Sequence, residues 1–224
     1  TALAKSIGLS NSSTAGDTRF DRVKKLRERD NFVEYIDEFK QNKKTIVFGS
    51  SWESEERLAE IVASKNRDLK MIIAPHDLKR VANLKEIFPS AMLYSQLTNS
   101  QVFNSSNSQV LIIDCIGILS KLYSYGDLAV VGGGFHSKGL HNILEAATFG
   151  IPVLFGDHYQ KNPEADELIA QHGGKSFEDE FFAAPYILNL LNDEVSMKKM
   201  SLNARNFIDS QPNASELILN KMLS

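Results

Sequence analysis

The chain has 224 residues, 42% of them hydrophobic, with a formal net charge of -3 at pH 7 and a pI near 6.0. That length holds one large α/β domain or two small ones, with enough apolar residues for a sizeable core. The acidic balance argues against a general nucleic-acid binder. The single Cys115 excludes an internal disulfide and fits a reducing compartment, and no apolar run is long enough to span a bilayer.

Residues 1–16 read as a helix end and a polar loop, and the opening TALAKSIGL, without Met or secretory signal, reads as cut from something longer. A helical region follows from Phe20 to about Lys40, with a break near Asp30. Its basic patch, Arg22 to Arg29, is interleaved with acids and reads as a solvated face. TIVFGSS (45–51) is a strand running into a turn, and ESEERLAEIVASK (53–65) has the spacing of an amphipathic helix. LKMIIAPH (69–76) is the next strand, closed by Pro75. A helix from Leu78 to Phe88 ends before Pro89, and AMLYSQ (91–96) is a short strand. NSSNSQ (104–109) is a loop, VLIID (110–114) a strand, and Ile116 to Tyr125 a helix. After the strand Leu128 to Val131 comes a helix from near Leu140 to Phe149, then the strand PVLF (152–155). Asn162 to His172 is helical, GGKSF (173–177) is extended, and the remainder is helical. Apolar strands alternating with amphipathic helices predict a Rossmann-like parallel sheet with helices on both faces. Ligands of such sheets sit at the carboxyl ends of the strands.

The segment DLAVVGGGFHSKGLHNILEAATFGIPVLFG (127–156) carries the most chemistry. Three glycines, Gly132, Gly133 and Gly134, let the backbone approach a ligand. A helix behind them favours a phosphate at its N-terminus. Asn142 and Glu145, three residues apart, share one helix face, where a carboxylate can accept hydrogen bonds from two sugar hydroxyls. The plainer alternative makes Glu145 an acid serving the helix dipole. His141 either caps the helix or joins the core, or it meets a ligand. Trp52 is either a cleft wall or half-buried. Asp114 fixes a turn, Cys115 is a small buried apolar residue, and the phenylalanines with Met197, Met200 and Met222 are expected in the core. The histidines lack metal-ligand spacing, and no metal is assigned.

The order of these motifs resembles the bacterial 3-deoxy-D-manno-octulosonic acid (Kdo) transferases of lipopolysaccharide synthesis, in their C-terminal half. GDTRFD (16–21) looks like the family's entry to its second domain, and SSWESEE (50–56) is similar to its Ser-Thr-His-x-Gly-Glu-Glu segment. APH (74–76) sits where the family has Pro-Arg-His. DCIGILSKLYSYGDLAVVGGGF (114–135) and GLHNILEAATFGIPVLFG (139–156) are the specific matches. GDTRFD with GGGF and HNILEAA resembles the version found in Bacteroidetes-like bacteria.

The resemblance implies the C-terminal half of a GT-B glycosyltransferase. Residues 1–16 would be the interdomain segment and 17–224 the Rossmann-like donor-binding domain. The donor is CMP-Kdo, with no further cofactor. Transfer is an in-line displacement of CMP with inversion, to a lipid A precursor at the cytoplasmic face of the inner membrane. Acceptor, membrane association and the general base, a carboxylate, belong to the N-terminal half. The chain alone is therefore expected to be soluble and inactive, with no catalytic residue of its own and no nucleic acid as partner. Carried over residue by residue, Asn142 and Glu145 meet the ribose or phosphate. Gly117, with Ile116 and Ile118, approaches the cytosine through the backbone. Pro75 and His76 border base and phosphate, Ser50 and Ser51 face phosphate or Kdo, and Gly133, Gly134 and Gly139 permit close approach. Ile118 stands where the family has Glu, Trp52 where it has His, and the Arg of Pro-Arg-His is absent. His76 or Lys79 are candidates for the lost charge. Lys138, in a loop of altered length, is a candidate phosphate contact or a surface lysine. The alternatives are a GT-B transferase or epimerase using a UDP-sugar, and a non-enzymatic nucleotide-binding module. Against the last, no G-x-G-x-x-G follows the first strand.

Overall fold

The computed structural model describes residues 2–9, 11–97 and 108–223. Strict alternation along the strands divides the molecule into two cores. Val47, Ile72, Leu111, Ala129 and Val153 lie in one apolar cluster, while Ile46, Phe48, Met71, Ile73, Val110, Ile112, Leu128 and Val130 lie in another. A period of two sends neighbours to opposite faces of a sheet, so helices must cover both.

The strands are β1 (Thr45–Ser51), β2 (Lys70–Pro75), β3 (Met92–Leu93), β4 (Val110–Ile112), β5 (Leu128–Val131), β6 (Val153–Gly156) and β7 (Gly174–Phe177). They form one sheet in the order β3-β4-β2-β1-β5-β6-β7, and every pairing is parallel. The chain leaves β1 toward β2 on one side and returns to its other side as β5, which makes β1/β5 the switch point of the sheet.

The α-helices are α1 (Ala2–Ser6), α2 (Thr18–Leu26), α3 (Ile36–Lys40), α4 (Glu53–Lys65), α5 (Val81–Ile87), α6 (Leu119–Leu122), α7 (Leu144–Ala147), α8 (Pro163–Ala170), α9 (Glu180–Asn192), α10 (Glu194–Asp209) and α11 (Ala214–Leu223). Leu58, Ala59 and Val62 of α4 and Ile187 and Leu190 of α9 cover one face; Phe20 and Val23 of α2 and Leu168 of α8 cover the other. α1 buries no residue. Among the described residues no helix is long and apolar enough to cross a membrane.

The fold expected from sequence is the fold observed, with local corrections. The helical region 20–40 is two helices, α2 and α3, parted by a loop that Asn31 ties to the carbonyl of Leu26. AMLYSQ contributes only Met92–Leu93 to the sheet and then closes into a 3-10 turn at Tyr94–Gln96. Asp114 accepts from the backbone N–H and the hydroxyl of Ser95, which holds that turn. The helix expected from near Leu140 to Phe149 is the single turn α7, because Asn142 Oδ1 accepts from the Leu144 N–H and starts it there. The loop expected at 104–109 lies outside the described residues up to 107.

Candidate functional site

The carboxyl end of β1 is strained. Pairing with β2 slips between Gly49 and Ser51, and Ser50 takes φ 53°, in the left-handed region. This kink aims the Ser50 carbonyl at Gly132, where a Cβ would sit 2.0 Å from that oxygen. Gly134 meets Gly156 in the same manner, and Gly133 meets the Gly139 carbonyl. The three glycines are buried, and their missing side chains let strand ends pack backbone to backbone. The N–H of Gly133 donates to Glu55 Oε1 at 3.0 Å. The glycine turn is thus satisfied by a carboxylate of the protein itself. With α7 only one turn long, the dipole and free N–H groups expected of a full helix are also reduced.

Glu55 is buried and accepts as well from the Trp52 N–H at 2.8 Å. Burial pushes its carboxyl up to about 7, against the pull of those backbone donors. Its neighbour Glu56, also buried, holds Arg80 through two hydrogen bonds of 2.8 and 2.7 Å. The Ser51 hydroxyl lies 3.4 Å from Glu56, so Ser51 serves this buried network, whereas Ser50 is half-buried.

Next to this network, at the ends of β2 and β4, lies a cleft of about 550 Å³. Pro75, His76, Ile116 and Gly117 line it, together with Cys115 and Leu119. Gly117 holds φ 100° with open space where a Cβ would go, so the loop needs glycine for its backbone angle. Ile116 is 87% exposed at the rim, while Ile118 packs against the core and does not line the cleft. Burial pushes the Cys115 thiol above its ordinary range, as for a passive apolar residue.

Behind the cleft, Gly49 leaves room for Tyr123 and Leu119 against β1. Half-buried Glu145 adds its charge to the burial that raises the Tyr123 hydroxyl, and Glu145 Oε1 accepts from the Asn142 amide at 3.1 Å. Asn142 and Glu145 therefore act as one polar pair, although Asn142 precedes α7 and does not share a helix face with Glu145.

Sequence reasoning missed how one indole gathers the remaining polar groups. Trp52 stacks on His76 at 4.3 Å, meets His136 edge-on at 4.8 Å, and carries the Lys138 ammonium 4.2 Å from its ring centre. The indole N–H donates to His141 Nε2 at 3.4 Å, and His141 lies 4.7 Å from His76. Desolvation first holds His136 and His141 below the ordinary imidazole range, reinforced by Lys138 at His136 and by the adjoining histidines at His141. No local spacing signals this cluster, because its members come from the ends of β1 and β2 and from the loop after β5.

No family model matches the chain. In sequence it is similar to the 3-deoxy-D-manno-octulosonic acid transferase of Chlamydophila psittaci, 28% identical over 158 residues, covering 70% of this chain and 36% of that protein. The transferase of Rickettsia bellii is 24% identical over 211 residues, covering 91% of this chain and 50% of that protein. The chain thus spans at most about half the length of these curated relatives. In structure it is similar to the C-terminal CMP-Kdo binding domain of WaaA from Acinetobacter baumannii, with a TM-score of 0.68 and 19% identity over 86% of this chain and 99% of that one. UDP-GlcNAc 2-epimerase from Neisseria meningitidis bound to UDP-GlcNAc gives a TM-score of 0.63 and 17% identity over 99% of this chain and 57% of that one. The chain therefore shares the α/β fold of these structures, and its sequence similarity to Kdo transferases extends over most of its length.

Proposed function

We propose that this chain is the donor-binding half of a glycosyltransferase that takes Kdo from CMP-Kdo. The observation that carries the reading is the cleft at the ends of β2 and β4. Its walls, Pro75, His76, Ile116 and Gly117, come from the very motifs that resemble the Kdo transferases. Its volume of about 550 Å³ suits a nucleoside. The cytosine lies against the Gly117 loop and meets backbone groups there. The ribose reaches the Asn142–Glu145 pair, where Glu145 accepts from sugar hydroxyls. The phosphate lies between them, beside the kinked end of β1 at Ser50. The leaving phosphate is stabilised by polar groups already fixed in place, which lowers the cost of breaking the bond to the sugar. No metal or further cofactor enters this scheme. Transfer to a lipid A precursor at the inner membrane is proposed for the whole enzyme, whose relatives are at least about twice as long as this chain.

Thermal stabilisation by nucleotides tests the reading. CMP is expected to raise the melting temperature more than UMP, and more than NAD. Equal shifts with all three would leave a generic phosphate site and remove the Kdo assignment.

A further inference from the structure

The cluster around Trp52 lies beside the nucleoside cleft and shares His76 with it. Its protonation pattern follows from its hydrogen bonds. The Lys138 N–H donates to His136 Nδ1 at 3.2 Å, so the neutral His136 ring carries its proton on Nε2. That Nε2 is closed off from solvent and has no hydrogen-bond partner among the described residues. Lys138 is exposed and rests on the indole face, a contact weaker than a charge-assisted hydrogen bond. The nearby carboxyl, Glu55, is buried and turned toward backbone N–H groups. The cluster thus offers one mobile positive charge, one unused N–H donor and an aromatic wall.

We infer that Trp52, His136 and Lys138 form a subsite for the carboxylate of an acidic sugar, distinct from the nucleoside cleft and joined to it at His76. One ammonium and one neutral N–H donor match a monoanion better than a doubly charged phosphate. Lys138 leaves the indole to meet the carboxylate, and the His136 Nε2–H serves as the second donor. Trp52 then faces the sugar ring. The inference rests on the proposed use of a Kdo donor, and it names the residues that select an acidic sugar over a neutral one.

Trp52 is the one tryptophan of the chain, so its fluorescence reports from within this subsite, and the CMP titration shows how much of the signal comes through His76. The 224-residue chain is titrated with free Kdo, with Kdo methyl ester, with inorganic phosphate and with CMP. Free Kdo is expected to change Trp52 emission and the ester is not. Lys138→Met and His136→Ala are each expected to weaken Kdo binding about tenfold, by more than they weaken CMP binding, and Lys138→Arg to restore part of it. Melting curves of the three variants confirm folding, since Lys138 and its loop are at the surface. Equal responses to acid and ester overturn the inference. So does a response to phosphate with a matching loss of CMP affinity in Lys138→Met, which makes the cluster a phosphate site. Failure of CMP to bind sinks the nucleotide reading alone, because the Kdo titration contains no nucleotide.

Discussion

Two carboxylates that look alike in sequence have opposite duties. Glu55 is internal. It joins the start of α4 to the Gly133 turn across the switch point, and burial raises its carboxyl from 4.5 to about 7. A group raised in the folded state contributes stability below its unfolded pKa, and that contribution is lost as pH rises through the folded value. Wild type should therefore lose stability relative to Glu55→Gln between about pH 4.5 and 7. The full difference is on the order of 3 kcal/mol, since each pKa unit is about 1.4 kcal/mol. Urea unfolding of both proteins at pH 5 and pH 8 measures it, and parallel pH dependences would refute it. Glu145, by contrast, is half-buried on a single-turn helix, with exposed Asn142 just before it. Little helix dipole remains there for it to serve. Glu145→Gln should weaken CMP binding roughly tenfold to a hundredfold, the cost of a lost hydrogen bond to a charged acceptor. The melting temperature without ligand should hardly move. A variant that melts earlier but binds CMP normally would make Glu145 a helix residue.

At the scale of elements, the alternation of strands and helices was legible because apolar period and turn residues agree over most of the chain. The ends were less legible. Leu140 to Ile143 has helical composition, yet the Asn142 side chain closes on the Leu144 N–H and delays the helix. The Trp52 cluster was invisible for a different reason: strand register, not sequence spacing, brings Trp52, His76, His136 and His141 together. GDTRFD shows what a motif can mean once it is placed. Asp17 accepts from the Arg19 N–H at the start of α2, and Arg19 pairs with buried Glu164 of α8. Asp21 accepts from the N–H groups of Ala214 and Ser215 at 3.1 and 2.7 Å, which caps α11 from a distant helix. Ala214 is the one buried residue of α11, so this cap is a principal anchor. Asp21→Ala should cost about 1–2 kcal/mol, as for a lost helix cap. Hydrogen exchange should speed up in α11, with CMP affinity unchanged. Asp21→Asn, which keeps one acceptor oxygen, should recover part of the loss. Uniform faster exchange across the sheet would refute a local anchoring role.

At the scale of the whole molecule, the candidate site is one-sided. The cleft, the Asn142–Glu145 pair and the Trp52 cluster all lie at the carboxyl end of the sheet, and His76, Ile116 and Lys138 are exposed there. Displacement of a nucleotide from a sugar needs a second wall to exclude water, an acceptor, and a base to take the acceptor's proton. Several groups near the site fill the base role poorly. Asp114 is held by Ser95, Glu55 is buried against backbone N–H groups, and Glu56 is paired with Arg80. Burial disfavours protonation of His136 and His141, and the Lys138 ammonium adds to this at His136. Binding and chemistry should therefore separate in this chain. With CMP-Kdo and a lipid A precursor, the 224 residues alone are expected to bind the donor and form no product. Product should appear only when the remaining length found in the relatives is supplied on the same chain. Mass spectrometry of the lipid after prolonged incubation provides the measurement, with CMP binding checked on the same sample. Transfer by this chain alone would locate the base here, with His76 the first residue to substitute, since it is exposed and borders both cleft and cluster.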